Sequence, residues 1–336
     1  MATTIADVAA RAGVSTATVS RVLAGLGGAR PETRERILSS ARELGYRPSG
    51  VARSLKLRTT RTLGLVITDI GNPFFPELVR AVEDAARERD YVVLLCNAGE
   101  DSEREATYLE LLAARRVDGV IIASSGVGQR HAAWLATAPL PVVLVNCASP
   151  IVPLPTILSD NCAGAELAVQ HLLALGHERI GHITAPPRNE AAADRLEGAR
   201  DAFRKVGRDP AELLVEEGDG HVAGGAAAAA ALLHRDPGLT AVFAYNDLSA
   251  IGAIRAIRGR GLRVPEDVSV VGFDDVDLAA YADPPLTTVA QATAQMGRWA
   301  VAQLLDRLHD GGGDIETVTL PVHLEVRGST APARTR

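Results

Sequence analysis

The fold of the N-terminal region is decided by the stretch TIADVAARAGVSTATVSRVL, which occupies residues 4–23. Thr4 followed three residues later by Asp7 is typical of a helix start, because a hydroxyl caps the first backbone N–H groups and a carboxylate favours the positive end of the helix. Apolar residues then recur on one helical face. The triplet Gly13-Val14-Ser15 breaks this helix and begins a second one, expected from Thr16 to Ala24.

A third helix is expected to complete this head. Pro31 is suited to its first turn, because proline has no N–H to lose there, and Gly45 is expected to end it after Leu44. Two helices joined by a three-residue turn, with a third in support, form the helix-turn-helix arrangement. We assign residues 1–47 to this all-α head.

The segment after the head has a different pattern. Pro48 begins a short helical segment, Ser49 to Leu55, and the following residues 57–62 are polar without an apolar face. Gly50 lowers the helix propensity of the segment by about 1 kcal/mol relative to alanine. We therefore assign residues 48–61 to a hinge helix and a linker.

From Leu63 onward, short apolar runs alternate with amphipathic stretches of helical period. The runs expected to form strands are Leu63–Thr68, Tyr91–Cys96, Gly119–Ala123, Val142–Asn146, Ile180–Ile183, Ala241–Tyr245 and Val268–Phe273. The order β-α-β-α predicts an α/β body with parallel sheets and helices on both faces. Ligands of such folds bind at the carboxyl ends of the strands, and those ends are polar or aromatic at 69–75, 246–247 and 274–275. We expect the pocket there.

Charge separates the head from the body. Residues 1–58 contain ten Arg or Lys and four Asp or Glu, a net of +6, whereas the remainder contains 25 and 37, a net of −12. A small basic head on a large acidic body favours a polyanion as the partner of the head alone. The total of 336 residues also suits two or three domains rather than one.

Other features bear on the compartment and on bound metals. No charge-free apolar run reaches about 18 residues, the length typical of a membrane span. The N-terminus has no basic stretch followed by an apolar one, so no secretory signal is expected. The cysteines, Cys96, Cys147 and Cys162, are too scattered for a disulfide framework or a metal site. We expect a cytoplasmic protein with no metal and no cofactor.

Short motifs follow one another in a fixed order along the whole chain. In the head they occupy residues 4–9, 13–23 and 48–56. In the body they are NPFF at 72–75, DN at 160–161, LGHERI at 175–180, ND at 246–247, VGFDD at 271–275, PLTTV at 285–289 and RGST at 327–330. In these motifs the chain resembles the lactose-repressor/galactose-repressor (LacI/GalR) family of transcription regulators, with a hinge segment closest to that of the family's purine repressors.

The resemblance implies that the head reads DNA. The second helix would enter the major groove, with Thr16 and Ala17 near thymine methyl groups and Arg21 on a guanine or a phosphate. Leu55 from each of two subunits would wedge into the minor groove. The residues expected at DNA are Thr4, Ser15, Thr16, Ala17, Thr18, Ser20, Arg21, Ala52, Arg53, Leu55 and Lys56. The alternatives are a solvated surface charge for Arg21 and packing on the body for Leu55.

A homodimer on a palindromic operator is also implied, because one three-helix head buries too little surface for specific affinity. We expect a dimer rather than a tetramer, since the chain ends six residues after Thr330 without an apolar heptad segment.

For the body, the resemblance implies two lobes similar to periplasmic sugar-binding proteins, joined by three crossing strands. The expected boundaries are 62–158 with 289–320 for the first lobe, and 159–288 with 321–330 for the second. An effector in the cleft would contact Asn72, Phe74, Phe75, Asn146, Arg195, Asn246, Asp274 and Gln291. Such groups bond vicinal hydroxyls, and an aromatic face stacks on a sugar ring. Alternatives are a core position for Phe75 and a surface ion pair of Arg195 with Asp194 or Glu197.

Two departures from the family pattern concern this pocket. Asn146-Cys147 stands where the family often has Asp-Arg, and His221 stands where the second lobe usually supplies an aromatic ring. A ring-stacking partner and a charged pair are therefore expected to be missing, unless His221 replaces the ring.

We expect a repressor controlled by a carbohydrate or related metabolite. A repressor that needs a purine-type corepressor and a non-regulatory binding protein of the periplasmic type stay open as alternatives. An enzyme is not expected, because the sequence has no G-x-S-x-G, P-loop or H-E-x-x-H motif.

Overall fold

A computed structural model describes residues 3–23, 28–46, 59–123, 131–149, 151–187, 189–310 and 315–334. The chain divides into two units, Met1–Arg61 and Thr62–Arg336. Within these described ranges, no helix is both long enough and apolar enough to cross a membrane.

The described part of the first unit contains three helices: α1 Ile5–Ala12, α2 Thr16–Leu23 and α3 Pro31–Glu43. The predicted capping box is confirmed, since Thr4 N donates to Asp7 Oδ2 over 2.8 Å and Asp7 N donates to Thr4 Oγ1 over 3.4 Å. Gly13 ends α1 with φ 63°, a left-handed conformation that glycine adopts without strain. Buried Val8, Val19 and Ile37 form the centre of the unit.

The second unit contains two sheets of six strands each. Its first half comprises β1 Thr62–Ile67, α4 Phe74–Arg87, β2 Val92–Asn97, α5 Ser102–Ala114, β3 Gly119–Ala123, α6 Ala132–Thr137, β4 Val142–Val145 and β5 Thr156–Ser159. Then follow α7 Asn161–Ala174, β6 Ile180–Thr184, α8 Glu190–Lys205, β7 Leu214–Glu217, α9 Val222–Arg235, β8 Ala241–Ala244, α10 Asp247–Gly259, β9 Ser269–Asp274, α11 Asp277–Tyr281, β10 Thr287–Ala290, α12 Thr293–Asp310, β11 Thr317–Leu320 and β12 His323–Glu325.

The two sheets have the same topology, which confirms the predicted pair of doubly wound lobes. The first has the order β11-β5-β4-β3-β1-β2 and the second the order β12-β10-β9-β8-β6-β7. Their strand pairs are parallel, with the exception of β10 and β12. Buried aliphatic side chains cover both faces of each sheet, as expected for parallel sheets between helices.

The chain passes between the lobes three times: from β5 to α7, from β10 to α12, and from β11 to β12. Strand β10 pairs with β9 through Ala290. The second lobe therefore reaches two residues beyond the boundary expected at 288, because the crossing begins only after this strand ends.

Close helix packing fixes the start of α10 at the edge where the strands end. A Cβ atom added at Gly252 would lie 2.1 Å from the Val222 carbonyl oxygen, and one added at Gly225 would lie 2.4 Å from the Ser249 carbonyl oxygen. Only glycine permits this approach of α9 to α10. The approach places Asn246, which precedes α10, beside the loop before α9.

Candidate functional site

A cavity of about 960 Å³, open mouth included, lies between the carboxyl ends of the two sheets. All eight residues predicted to contact an effector line it. They come from six separate segments of the chain, and parallel strands bring them together because their carboxyl ends share one edge of each sheet.

Arg195 on α8 supplies the buried cation of the cavity and is only 4% exposed. Its Nε donates to Asn161 Oδ1 over 2.9 Å and its Nη1 donates to the Tyr245 carbonyl oxygen over 2.5 Å. The guanidinium carbon also lies 3.6 Å from the centre of the Phe273 ring. The alternative of a surface ion pair is therefore wrong, since burial and these partners hold the side chain inside.

Asp274 ends β9 next to this cation. Its Oδ1 accepts from Gln291 Nε2 over 2.7 Å and lies 3.6 Å from Arg195 Nη2. Burial raises the pKa of the Asp274 carboxyl to about 6, although Arg195 acts in the opposite direction. Its second oxygen, Oδ2, has no hydrogen-bond partner among the described residues, so it can accept a hydroxyl of a bound molecule.

Gln291 links the lobes at the floor of the cavity. Its Oε1 accepts from Asn146 Nδ2 over 2.9 Å and from Ser159 Oγ over 2.5 Å, while its Nε2 donates to Asp274. Asn146 Oδ1 in turn accepts from Ser159 N over 2.9 Å. The amide groups of Asn146 and Gln291 are therefore hydrogen-bonded to each other and to their neighbours. They position Asp274 rather than offer open polar atoms.

Asn246 and Asn72, the other two predicted amides, differ in whether their side-chain atoms are already hydrogen-bonded. Asn246 caps α10, because its Oδ1 accepts from Ser249 N and its Nδ2 donates to the Gly220 carbonyl oxygen, each over 2.9 Å. Asn72 Oδ1 accepts from Phe74 N over 3.1 Å, but its Nδ2 has no hydrogen-bond partner in the described part of the chain. Asn72 thus offers an open donor, whereas Asn246 has a capping role.

The first lobe lines the cavity with aromatic rings. Phe74 and Phe75 begin α4 and meet edge to face, with ring centres 5.3 Å apart. Phe74 is buried in the first-lobe core, and Phe75 is partly buried against that core while lining the cavity. Phe75 therefore fits both interpretations. It packs against the core, as the alternative proposed, and it lines the cavity, as predicted.

Several lining residues were not among the eight predicted contacts, namely Asp69, Glu100, Asn189, Asp219 and Tyr245, although Asp69 lies in the strand end at 69–75 where the pocket was expected. Tyr245 supplies the second-lobe ring that was expected to be missing, and His221 also lines the cavity. The Tyr245 hydroxyl accepts from Asn189 Nδ2 over 2.6 Å, and burial raises its pKa. The strand-end rule already pointed to Asp69 and could also have found Tyr245, which directly follows β8, whereas nothing in the sequence pattern marks Asn189.

Cys147, the second residue of the departure at 146–147, is turned away from the cavity. It is buried in the core between β3 and β4, and its Sγ lies 3.4 Å from the Ile122 carbonyl oxygen. The departure thus changes the cavity at Asn146 alone.

Further contacts lie beside the cavity, at the start of α10. Asp247, which begins α10, accepts from Thr288 Oγ1 over 2.5 Å and from Val276 N over 2.9 Å. Burial, followed by the charge of Asp274, raises the pKa of Asp247 well above its usual value. Val276 follows β9 of the second lobe but is buried in the first-lobe core. A change at Asp274 is therefore connected to a point where one lobe packs into the other.

In the head, the exposed face of α2 carries three of the residues predicted at DNA, Thr16, Ala17 and Arg21. Ser15 caps this helix, since Thr18 N donates to Ser15 Oγ over 3.2 Å. The other described members are Thr4, which is exposed at the start of α1, and Thr18 and Ser20, which are half-buried. Ala52, Arg53, Leu55 and Lys56 lie outside the described residues.

No group of three His, Cys, Asp or Glu side chains in the described ranges is arranged to hold a metal ion.

Comparison with known proteins gives two family matches. Residues 4–49 match the model for bacterial regulatory proteins of the lacI family, and residues 169–330 match the periplasmic binding protein-like domain. The chain is 40% identical over 328 residues to the ribose operon repressor of Halalkalibacterium halodurans, covering 98% of this chain and 97% of that protein. It is 36% identical over 332 residues to the HTH-type transcriptional repressor CytR of Escherichia coli (strain K12), covering 98% and 96%.

Among solved structures, the chain is similar to the Lac repressor dimer bound to operator and the anti-inducer ONPF. The TM-score is 0.89 at 31% identity, and the match covers 98% of this chain and 100% of that one. These relatives are transcription regulators and share both the head and the body. The chain belongs to the LacI family of bacterial transcription regulators.

Proposed function

We propose that this protein is a transcription repressor that binds a palindromic operator as a homodimer and is controlled by a small polyhydroxylated effector, a carbohydrate or related metabolite. One observation carries the proposal: eight residues from six chain segments line a single cavity in a chain that also has a DNA-reading head. The protein would act in the cytoplasm and would not be an enzyme.

DNA recognition is assigned to the exposed face of α2. A helix fits the major groove, where small side chains such as Thr16 and Ala17 contact thymine methyl groups and a guanidinium such as Arg21 binds guanine. Ser15, Thr18 and Ser20 would contact or approach phosphates, together with Thr4. Ala52, Arg53, Leu55 and Lys56 are proposed for the minor groove on the strength of the family resemblance alone.

The effector would be held mainly by open atoms near the buried ion pair. Asp274 Oδ2 and Asn72 Nδ2 offer one acceptor and one donor, and Phe75 offers a ring face. A carboxylate and an amide are suited to neighbouring hydroxyl groups, and an aromatic face is suited to the apolar side of a sugar. Asn146, Gln291 and Asn246 would shape the cavity around them.

Control of DNA binding would run through the contacts between the lobes. Val276 of the second lobe packs in the first-lobe core, and Glu190 Oε2 of the second lobe accepts from Ala148 N of the first over 3.1 Å. An effector that alters these contacts would change the angle between the lobes and, through the dimer, the order of the hinge segments. Effector and operator affinities would then be linked reciprocally.

A dimer is proposed on the exposed edge of the first sheet. Strand β2 pairs with β1 on one side, and its Val92, Leu94 and Leu95 are 62%, 44% and 43% exposed. An apolar edge strand is a liability in a monomer, so a second copy is the expected cover. We expect Leu94→Asp to give monomers in sedimentation velocity and to weaken operator binding. The control Val206→Asp, at an exposed site of the second lobe, should stay dimeric; a dimeric Leu94→Asp protein would place the interface elsewhere.

The test of the function is operator binding by the full-length protein. Fluorescence anisotropy would be measured on a panel of palindromic duplexes, with and without a library of sugars and nucleobases, at fixed salt because phosphate contacts make affinity salt-dependent. We expect one palindrome to bind far more tightly than scrambled DNA and one compound to shift that affinity. The direction of the shift distinguishes an inducer from a corepressor.

A variant pair makes this test specific to α2. Replacing Arg21 with Ala removes a base or phosphate contact, so operator affinity should fall by about tenfold or more. Arg89→Ala makes the same charge change at an exposed position of the body and should have little effect. Equal, weak binding of the parent protein to every duplex would contradict the proposal.

A further inference from the structure

The cavity contains more negative charge than its predicted residues suggest. Four carboxylates line it: Asp69 and Glu100 from the first lobe, and Asp219 and Asp274 from the second. Asp69, Glu100 and Asp219 lie in the loops after β1, β2 and β7. Carboxylates therefore approach a bound molecule from both sides of the cleft.

The positive charge that faces them is already engaged. Arg195 is the one arginine or lysine among the described lining residues. Its Nε and Nη1 are bonded to Asn161 and to the Tyr245 carbonyl oxygen, its Nη2 faces Asp274, and one face lies against Phe273. Guanidinium forks and lysines are the side chains that neutralise a phosphate, and Arg195 has no second fork to offer.

Two of the carboxylates, Asp69 and Asp219, are not neutralised by any cation among the described residues. Asp69 Oδ1 accepts from Gly71 N over 2.9 Å and Asp219 Oδ1 accepts from His221 N over 2.8 Å. Neither forms a salt bridge with any described residue. The negative charges of Asp69 and Asp219 thus act directly on a molecule that enters the cavity, where low-dielectric walls strengthen the interaction.

From this arrangement we propose that the cavity selects an electrically neutral polyhydroxylated molecule and rejects its phosphate ester. The inference rests on the proposed function and names the chemical class of the effector. Hydroxyl groups donate hydrogen bonds to carboxylates, whereas a phosphate dianion would be buried among like charges with no available cation among the described residues. Closure of the lobes would bring Asp69 and Asp219 nearer to such a group and increase the repulsion.

The experiment compares matched pairs by isothermal titration calorimetry on the full-length protein: ribose with ribose 5-phosphate, glucose with glucose 6-phosphate, and adenosine with adenosine 5′-monophosphate. We expect a neutral compound to bind and its ester to bind about a hundredfold more weakly or not at all. An ester that binds as tightly as its parent overturns the inference and leaves the proposed function standing. If none of the six compounds binds, the result contradicts the effector part of the proposed function and, with it, this inference.

Charge-neutralising variants test the cause of the selectivity. Asp69→Asn and Asp219→Asn keep the acceptor oxygen of each loop but remove one charge. Each should lower the ratio of the ester Kd to the parent Kd by about fivefold to tenfold. Asp306→Asn removes the same charge from an exposed position on α12 that does not line the cavity, and it should leave the ratio unchanged. A ratio that stays constant in both cavity variants overturns the assignment to these carboxylates.

Discussion

The two lobes share one strand order but contribute different chemistry to the cavity between them. The first lobe supplies the rings of Phe74 and Phe75 and the open amide of Asn72. The second supplies the buried ion pair of Arg195 and Asp274. We call the side formed by Phe74 and Phe75 the aromatic wall and the side formed by Arg195 and Asp274 the polar wall. Sheets of the same strand order thus support two chemically different sides of one cavity.

The polar wall of the cavity, unlike the aromatic wall, is held in place by hydrogen bonds within the protein. The polar wall is fixed by internal hydrogen bonds before a ligand arrives, because Arg195 and Asp274 are each held by neighbours in the second lobe or at the crossing. Preorganised polar groups give specificity without an ordering cost on binding.

The largest effect is expected from breaking the polar wall. Replacing Arg195 with Leu leaves Asp274 as a buried carboxyl without its cation, which costs about 3–5 kcal/mol of the free energy of unfolding and should abolish effector binding. Arg200→Leu removes an arginine from the exposed face of α8, where its pair with Glu197 is 3.9 Å long, and should cost less than about 1 kcal/mol. Urea unfolding and calorimetry measure both.

Should Arg195→Leu fail to fold, Arg195→Lys provides the second test. Lysine keeps the charge but loses the planar fork that reaches Asn161 and Tyr245, so effector affinity should fall in a folded protein. A lysine variant with the parent's affinity would refute the positioning role of the guanidinium.

A smaller effect is expected at Asp274, with a dependence on pH. Because the pKa of its carboxyl is raised to about 6, the folded protein holds a proton that the unfolded chain releases, and stability falls as pH rises from about 4 to about 6. Effector affinity should rise between about pH 5 and 7, where the carboxyl of the folded protein ionises, since the ionised carboxylate accepts hydroxyl groups more strongly.

Asp274→Asn should lower effector affinity by about tenfold to a hundredfold at pH 7 and remove this pH dependence. Calorimetric titrations at pH 5, 6 and 7 compare the two proteins. A parent protein whose affinity is flat across this range, or a variant that keeps the slope, would assign the titration to another group.

The smallest effect is expected on the aromatic wall. Phe75→Leu removes a ring face but keeps an apolar side chain of similar volume, so effector affinity should fall by about threefold to tenfold, with under about 1.5 kcal/mol lost from the free energy of unfolding. Tyr91→Leu changes another ring that packs on the first-lobe core but does not line the cavity. Equal losses of affinity in both variants would mean that core packing, not stacking, is responsible.

The sequence predicted the long, strongly apolar strands, but it did not reveal all of the short ones. β5, β7, β10, β11 and β12 contain three or four residues each and were not predicted as strands. β7 shows why, since its residues are only half-buried and include two glutamates. Short strands at edges and crossings form through pairing with neighbours distant in sequence, and their own pattern carries little signal.

The order of the elements and the residue types at the ends of strands can be read from the sequence alone. Capping by Thr4 and Ser15, the parallel body and the places of Asp274, Asn246 and Phe75 at strand ends follow from local rules. Which polar atoms remain available to a ligand depends on the tertiary structure. Asn246 and Asn146 use their amides within the protein, Asp274 Oδ2 has no hydrogen-bond partner among the described residues, and Asp69 and Asp219 line one cavity from different lobes. Those outcomes depend on partners far apart in the chain, which only folding brings within hydrogen-bond distance.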